Sequence, residues 1–420
     1  MNSPVLILGC VTRIAVAVAR SLNRRGIPVE VATFSAQEIN PRSRAIRRFF
    51  RLPNPDDSAR DFILSLTELI HRQRYDLIIP GNDVAFTALV ENHAEISESV
   101  KIASPPPHVI ERVLDKSLTI EAAQRCNVPS PLTRVVSNAA QIRDAAEELG
   151  FPFVLKPARK MRTEDFKVLT IHDASQIQQH FPANQAFASP LLAQEYCPGV
   201  GVGVEVLIHN VECVTAFQHQ REKEFPYGGG VSVVARAQQP DPTLLEKSIS
   251  LLRELEWDGI AMVEFRVDEQ GNASLMEVNG RFWGTVSLPI ACEFDFPYHQ
   301  WQLLHGQSPV PSSAATFNKK WRWTAGYLRR MYGLVLAAAT TPRARRQLRS
   351  EIENMSLDFG ENVHDSLWSS SDPLPAILEF FDALKDILVS AGRSLFRTLF
   401  QSRHRVETKV RQARTVKSTS

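Results

Sequence analysis

Cysteine is scarce in this chain, and the five residues present, Cys10, Cys126, Cys197, Cys213 and Cys292, contain no CxxC pair. An odd number without that spacing argues against both a disulfide framework and a zinc site, so a reducing, cytoplasmic setting fits best. No stretch of about 18 uninterrupted apolar residues occurs, so no transmembrane helix is expected. The opening MNSPVLILGCV lacks a basic n-region and its apolar run is short for a secretory leader, so it reads as a first strand. Charge of one sign is also lacking: 48 Lys and Arg face 46 Asp and Glu, a net +2. That balance gives no reason to expect a nucleic-acid partner, although the last twenty-five residues are basic. What is present is an ordinary globular mixture, 44% hydrophobic and 22% charged over 420 residues, long enough for two or three cores.

The first third alternates buried-strand and helix patterns. Pro4 to Gly9, Pro28 to Phe34 and Asp76 to Pro80 read as strands; Thr12 to Arg25, Asp57 to Gln73 and Val84 to Ile96 read as helices. Strands alternating with helices predict a parallel, Rossmann-like sheet. A dinucleotide is not supported, because the turn after the first strand reads GCVTRIA, with one glycine where the fingerprint needs three. Gly81, Asn82 and Asp83 follow a strand end, where such sheets place ligands, and are candidate substrate contacts or a plain turn.

The strongest signal is the string from Gly259 to Gly284, GIAMVEFRVDEQGNASLMEVNGRFWG. Two apolar runs around the Asp268–Gly271 turn formers predict a β-hairpin. Alternation places Met262, Glu264 and Arg266 on one face of the first strand, and Leu275, Glu277 and Asn279 on one face of the second. Carboxylates inside apolar strands are costly without a cation, and hard oxygens on a rigid hairpin suit magnesium. The plainer alternative is a salt-bridged hairpin in which Arg266 and Arg281 neutralise the glutamates.

The string resembles the metal-binding hairpin of the ATP-grasp superfamily. The resemblance implies that Glu264, Glu277 and Asn279 hold Mg2+ (or Mn2+) bridging ATP phosphates, and that Arg281, with Arg266 nearby, serves the reacting phosphoryl group. Other segments are similar to the same family. The order Asp-Lys, helix, Val-Pro-x-Pro assigns Lys116 to the phosphates, and the strand FPFVLKPA assigns Lys156 to them. Gln194, Glu195 and Tyr196 fall at the link between lobes that contacts adenine. Glu205 is a candidate for the ribose, since Val200 and Gly201 stand where the family often has an acid. Arg159 to Lys167 has no glycine where the family usually has a glycine-rich phosphate loop. The triple glycine of HQREKEFPYGGGVSVVARA resembles the segment that closes over substrate, which makes Arg221, Lys223 and Arg236 candidate anion contacts. The late NGRFWG and QREKEFPYGGG strings look most like the carbamoyl-phosphate-synthase-like and D-aspartate-ligase-like branch.

The expected architecture is α/β and α+β. A Rossmann-like domain over 1–110 precedes a two-lobed ATP-grasp domain over 111–308 and a mostly helical extension over 309–420 with a basic tail. In that extension Ala376 to Phe400 shows an amphipathic stripe of Phe380, Leu384, Ile387, Leu388, Leu395 and Leu399, suited to a core, to a contact in a homo-oligomer or to an anionic membrane face. The resemblance implies an ATP-dependent ligase that activates a small-molecule carboxylate as an acylphosphate and joins it to an amine. A bicarbonate-using carboxylase or carbamoyl-phosphate-type enzyme, and a non-catalytic ATP-binding scaffold, are the alternatives.

Overall fold

The computed structural model describes residues 3–159, 168–181, 186–227 and 229–392. Beyond Arg159, the segment expected in place of a phosphate loop lies outside the described residues, as do Gly228 and the tail from 393.

The chain opens with β1 (Val5–Leu8), α1 (Thr12–Asn23), β2 (Val29–Thr33), β3 (Ile46–Arg51), α2 (Ala59–Gln73), β4 (Leu77–Pro80), α3 (Asp83–Glu91), α4 (His93–Ser97) and β5 (Lys101–Ile102). The five strands form a parallel sheet ordered β3-β2-β1-β4-β5. The continuous apolar run of β1 has both faces covered: Val5 and Ile7 pack with Ile14, Val18 and Leu22 of α1, while Leu6 and Leu8 pack with Phe62 and Leu66 of α2 and Leu89 of α3. β3 has no counterpart in the sequence-based strands. Its IRRFFR run is an edge strand with exposed arginines, so it lacks the buried pattern that marks its neighbours. The single helix expected over Val84 to Ile96 is two, divided at Asn92, whose Nδ2 turns back to the Ala88 carbonyl at 2.8 Å.

Next come α5 (Pro107–Leu114), α6 (Lys116–Arg125), β6 (Thr133–Asn138), α7 (Ala139–Leu149), β7 (Phe153–Pro157), β8 (Leu169–Ile171), α8 (Ala174–His180) and β9 (Ala186–Glu195). The order β6-β9-β7-β8 makes a small sheet backed by α7 and α8. Residues 196–199 then lead into β10 (Val200–His209), β11 (Glu212–Phe225), β12 (Val231–Gln238), α9 (Pro242–Glu254), β13 (Gly259–Val267) and β14 (Ala273–Asn279). These strands belong to a second sheet, ordered β14-β13-β10-β11-β12-β15-β16. One of its faces packs Val202, Val204, Val263, Phe265 and Leu275 against α5, α6 and α9. The other carries Leu207, Phe217 and Met262 into a core shared with α1, Phe282 and Trp283. The parallel sheet is thereby seated on the face that bears the charged residues of the hairpin.

The chain continues through α10 (Ser287–Ala291), α11 (Phe296–Leu304), β15 (Lys320–Arg322), α12 (Thr324–Ala338), α13 (Pro342–Glu353), a 3₁₀ turn (Met355–Asp358), β16 (Val363–Asp365) and a helix over 374–392, here α14. Before α10, Phe282, Trp283 and Val286 are held in the core as a non-helical segment. The extension is mostly helical as expected, and β15 and β16 also lengthen the large sheet beyond β12. Three-residue strands are too short to show a period in sequence. Among the described residues no helix is long and apolar enough to cross a membrane.

Lys223, a candidate anion contact by sequence, is instead an internal tie between β11 and the extension. Its Nζ lies 2.5 Å from both Glu351 Oε2 and Asp358 Oδ2, while Arg330 bonds Glu351 at 2.6 Å and the Tyr327 hydroxyl donates to Asp358 at 3.2 Å. Burial works against the Lys223 charge, and hydrogen bonds to the two acids overcome it, leaving the pKa raised. Truncating one member of a buried ionic group leaves the others uncompensated. Lys223→Ala is therefore expected to lower unfolding free energy by about 3–5 kcal/mol in urea titration. A loss below about 1 kcal/mol would show that the acids find other partners.

Candidate nucleotide and metal site

β13 and β14 form the predicted hairpin, with Met262 opposite Asn279, Val263 opposite Val278 and Glu264 opposite Glu277. The pairing then shifts so that Phe265 faces Leu275, which makes Met276 an extra, bulged residue. This corrects one sequence inference. Leu275 does not share a face with Glu277 but joins Val263, Phe265 and Val278 in the core, because one inserted residue reverses the alternation beyond it. The bulge also presents the Met276 carbonyl to Lys156, whose Nζ donates to it at 3.2 Å.

Two carboxylates directly opposite one another repel, so the pair needs a cation. Arg221 of β11 supplies one: its guanidinium donates to Glu264 Oε2 and also reaches the Gly230 carbonyl at 3.2 Å and Glu224 at 3.4 Å. Glu277 Oε1 accepts from Asn279 Nδ2 at 2.8 Å. Burial raises the Glu264 pKa, Arg221 opposes the rise, and Glu277 adds to it. Arg221 must cross β10 to reach Glu264, and glycine makes room. A Cβ on Gly201 would stand 2.8 Å from Arg221 Cδ, and one on Gly203 would stand 2.5 Å from His219 Cε1. The alternating glycines of GVGVEV were the signal for this crossing, which reading by strand pattern alone did not use.

The arginines proposed as simple neutralisers have other partners. Arg266 donates to the Gly199 carbonyl at 2.9 Å and to Glu224 at 3.3 Å, and Arg281 forms a two-pronged bond to Asp83, Nε to Oδ1 at 2.9 Å and Nη2 to Oδ2 at 2.7 Å. Burial works against the Arg281 charge, Asp83 outweighs it, and the pKa lies above the usual value. Arg236 is exposed on β12 and turns to Glu222 at 3.5 Å and Gln220 at 3.3 Å, away from the hairpin's acids.

Two lysines approach from the small sheet. Lys156 ends β7 with 8% of its surface exposed, and Lys116 opens α6 with its backbone N–H on the Ala158 carbonyl at 2.9 Å and its Nζ 3.4 Å from the Pro157 carbonyl. Burial pulls the Lys156 pKa down to about 8; Glu277 resists, Lys116 adds to the fall, and Glu264 resists. Ammonium groups from one sheet thus face carboxylates from the other across the 196–199 link. Gln194 is buried with its Nε2 on Thr133 Oγ1 at 2.9 Å, Glu195 accepts from the Leu132 N–H at 3.3 Å, and Tyr196 stands exposed at the start of the link. Glu205, the candidate ribose contact, is wholly buried and paired with His219. Strand alternation put it on the charged face, but the overlying core seals that part of the face, so no ribose reaches it in this arrangement.

The parallel sheet closes the remaining side at the carboxyl ends of β1 and β4, where its strand order reverses. Asp83 reaches Arg281 from there. Gly81 and Asn82 hold the crevice shut: a Cβ on Gly81 would lie 2.3 Å from the Gly9 carbonyl oxygen, and Asn82 Nδ2 donates to Glu38 at 2.6 Å. Arg13, in the first turn of α1, was not singled out by sequence. It lies 4.0 Å over the Trp323 ring and against Gly284, with no hydrogen bond or ion pair among the described residues. Burial lowers its pKa to about 10, Glu379 opposes this, and Arg281 and Arg329 add to it, so it stays charged at neutral pH.

Among the described residues no group of three or more His, Cys, Asp or Glu side chains is arranged to hold a metal ion. Glu264, Glu277 and Asn279 offer two carboxylates and an amide oxygen, a hard donor set suited to a cation that takes one or two protein carboxylates and completes its shell with phosphate and water.

A parallel domain, a small sheet and a large antiparallel sheet meeting around lysines and acids define a nucleotide-clasping architecture. A family model described as "ATP-grasp in the biosynthetic pathway with Ter operon" matches residues 187–325. The carbamoyl phosphate synthase large chain of Thermomicrobium roseum is 21% identical over 280 residues, covering 65% of this chain and 25% of that one. The chain spans about a quarter or less of the length of the carbamoyl phosphate synthase relatives that it matches. An L-amino acid ligase from Bacillus licheniformis superposes with a TM-score of 0.58 at 17% identity, over 75% of this chain and 76% of that one. The biotin carboxylase domain of 2-oxoglutarate carboxylase from Hydrogenobacter thermophilus, in complex with MgADP, ADP and bicarbonate, gives 0.59 at 17% identity, over 76% and 74%. The chain thus resembles an ATP-grasp family in sequence over residues 187–325 and shares its fold with ATP-grasp structures.

Proposed function

We propose that the protein is an ATP-dependent ligase that joins a small-molecule carboxylate to an amine. The observation that carries this reading is the convergence of Lys156 from the small sheet and Lys116 from the start of α6 with Glu264, Glu277 and Asn279 of the large sheet. In this reading Glu264, Glu277 and Asn279 would hold Mg2+, which would offset the charge of the ATP phosphates. Lys156 and Lys116 balance phosphate charge, and the backbone around Gln194, Glu195 and Tyr196 lies along the adenine. Arg281 faces the transferring group, and Asp83 fixes the plane of the Arg281 guanidinium.

The substrate carboxylate oxygen attacks the γ-phosphorus as the bond to the ADP oxygen breaks. The amine nitrogen then attacks the acyl carbon, the carbon–oxygen bond to phosphate breaks, and the amine gives up a proton. Positioning and charge stabilisation supply the acceleration, with no side-chain nucleophile. The fold shared with an L-amino acid ligase supports this reading, and the fold shared with a biotin carboxylase domain supports a second one on bicarbonate.

An ADP-release screen with pooled amino acids, with and without magnesium, followed by mass spectrometry of the products, tests the first reading. A condensed product is the expected result. ADP release that requires bicarbonate and no amine would favour the second. The Arg221–Glu264 pair provides a check that needs no substrate. Arg221→Ala removes the guanidinium bonded to buried Glu264 and is expected to cost about 3–5 kcal/mol at neutral pH. The loss should shrink as Glu264 protonates at lower pH, and added Mg2+ should restore part of it. A variant indifferent to Mg2+ would count against the hairpin as a cation site.

A further inference from the structure

We propose that the outer face of α14, with the exposed arginines at the start of α13, docks on the surface of an anionic lipid bilayer. One side of α14 is committed to the protein: Ala383 is fully buried, Trp323 Nε1 donates to Glu379 at 2.8 Å, and Arg329 bonds Asp386 at 2.8 Å and Asp382 at 3.5 Å. The opposite side carries Ile377, Phe381, Leu384 and Leu388, spaced by four, three and four residues, which is one stripe along a helix. Phe381 and Leu388 are 61% and 64% exposed, values foreign to a core position.

Exposed basic groups stand just past the end of α12, the helix that α14 packs against. Trp323 meets Glu379 and Arg329 meets Asp386, so α12 and α14 run side by side in the same direction. α13 begins shortly after α12 ends, and its Arg343, Arg345 and Arg346 are exposed there. In sequence, Leu395 and Leu399 keep the spacing of the stripe, and residues 393–420 contain eight Arg or Lys against one Glu. An apolar ridge, with exposed arginines on α13 and a basic sequence following it in the chain, suits an interface of acyl chains beneath anionic headgroups. A second copy fits less well, since pairing two such ridges side by side would crowd two basic segments of like charge.

The test is flotation of the full chain with phosphatidylcholine vesicles and with vesicles that also contain phosphatidylserine, at physiological salt. Association with the phosphatidylserine vesicles at least about tenfold stronger, and weakened by added salt, is expected. The Phe381→Glu, Leu388→Glu double variant should lose it while keeping its circular dichroism and its melting temperature, because both side chains are exposed. Equal binding to both vesicle types, no binding to either, or undiminished binding by the variant would overturn the proposal. A wild-type dimer that the variant converts to monomer, with no vesicle binding, would assign the stripe to a second copy instead.

Discussion

Replacing Glu277 with glutamine is expected to lower magnesium-dependent ADP release at least about a hundredfold while leaving the fold in place. Glutamine keeps the shape of the side chain and an oxygen that accepts from Asn279 Nδ2, so packing of the hairpin is retained. What is lost is one of the two charges that face each other across β13 and β14. Magnesium sheds its water reluctantly, and a neutral amide is a poor replacement for a carboxylate in its shell. The wild type should melt at a higher temperature with ATP and magnesium together than with ATP alone, and Glu277→Gln should lose that increment. Retention of both the increment and normal ADP release would remove Glu277 from the metal site.

Lys156→Met is expected to separate stability from function. In the nucleotide-free protein the ammonium is buried with a pKa of about 8, below its ordinary value of 10.5, so the folded state binds fewer protons than the unfolded chain between those limits. The burden of burying the charge is therefore fully present below about pH 8 and disappears as pH rises through the unfolded value near 10.5. At pH 7 methionine relieves a penalty on the order of 3 kcal/mol, less whatever the bond to the Met276 carbonyl contributes. The variant should thus melt above the wild type at neutral pH, and the difference should close towards pH 10. Stabilisation by ATP should fall at the same time, because the phosphates lose a buried counter-charge. A variant less stable at pH 7 whose response to ATP is unchanged would show that Lys156 serves packing rather than phosphate.

Much of this arrangement was legible in the residues. The parallel sheet followed from strand and helix runs whose periods differ, and the hairpin from two apolar stretches around a turn-forming segment. Both are local patterns that a chain must display to fold that way. Glu264 and Glu277 stood out because a charge inside an apolar strand is expensive and calls for an explanation, and Asn279 through the family resemblance.

Partner choice was not legible. Arg221, Lys223, Arg266 and Arg281 are all arginines or lysines near acids in sequence or in expectation, yet one meets Glu264, one ties down the extension, one turns to Glu224 and one crosses to Asp83. Nothing local distinguishes them, since each partner is contributed by a distant part of the chain. Glu205 shows the same limit from the other side. Its complete burial is decided by the core that packs over that part of the sheet, whose residues are far from it in the chain.

By itself the sequence determined the elements, the family resemblance and the acidic hairpin, because these depend on propensity, alternation and side chains close along the chain. Only the tertiary structure decided that Met276 bulges out, that Gly201 lets Arg221 lie across β10, and that Asp83 holds Arg281. Those outcomes rest on register and on contacts between residues far apart in the chain, and a charge settles on whichever opposite charge the packing brings within reach.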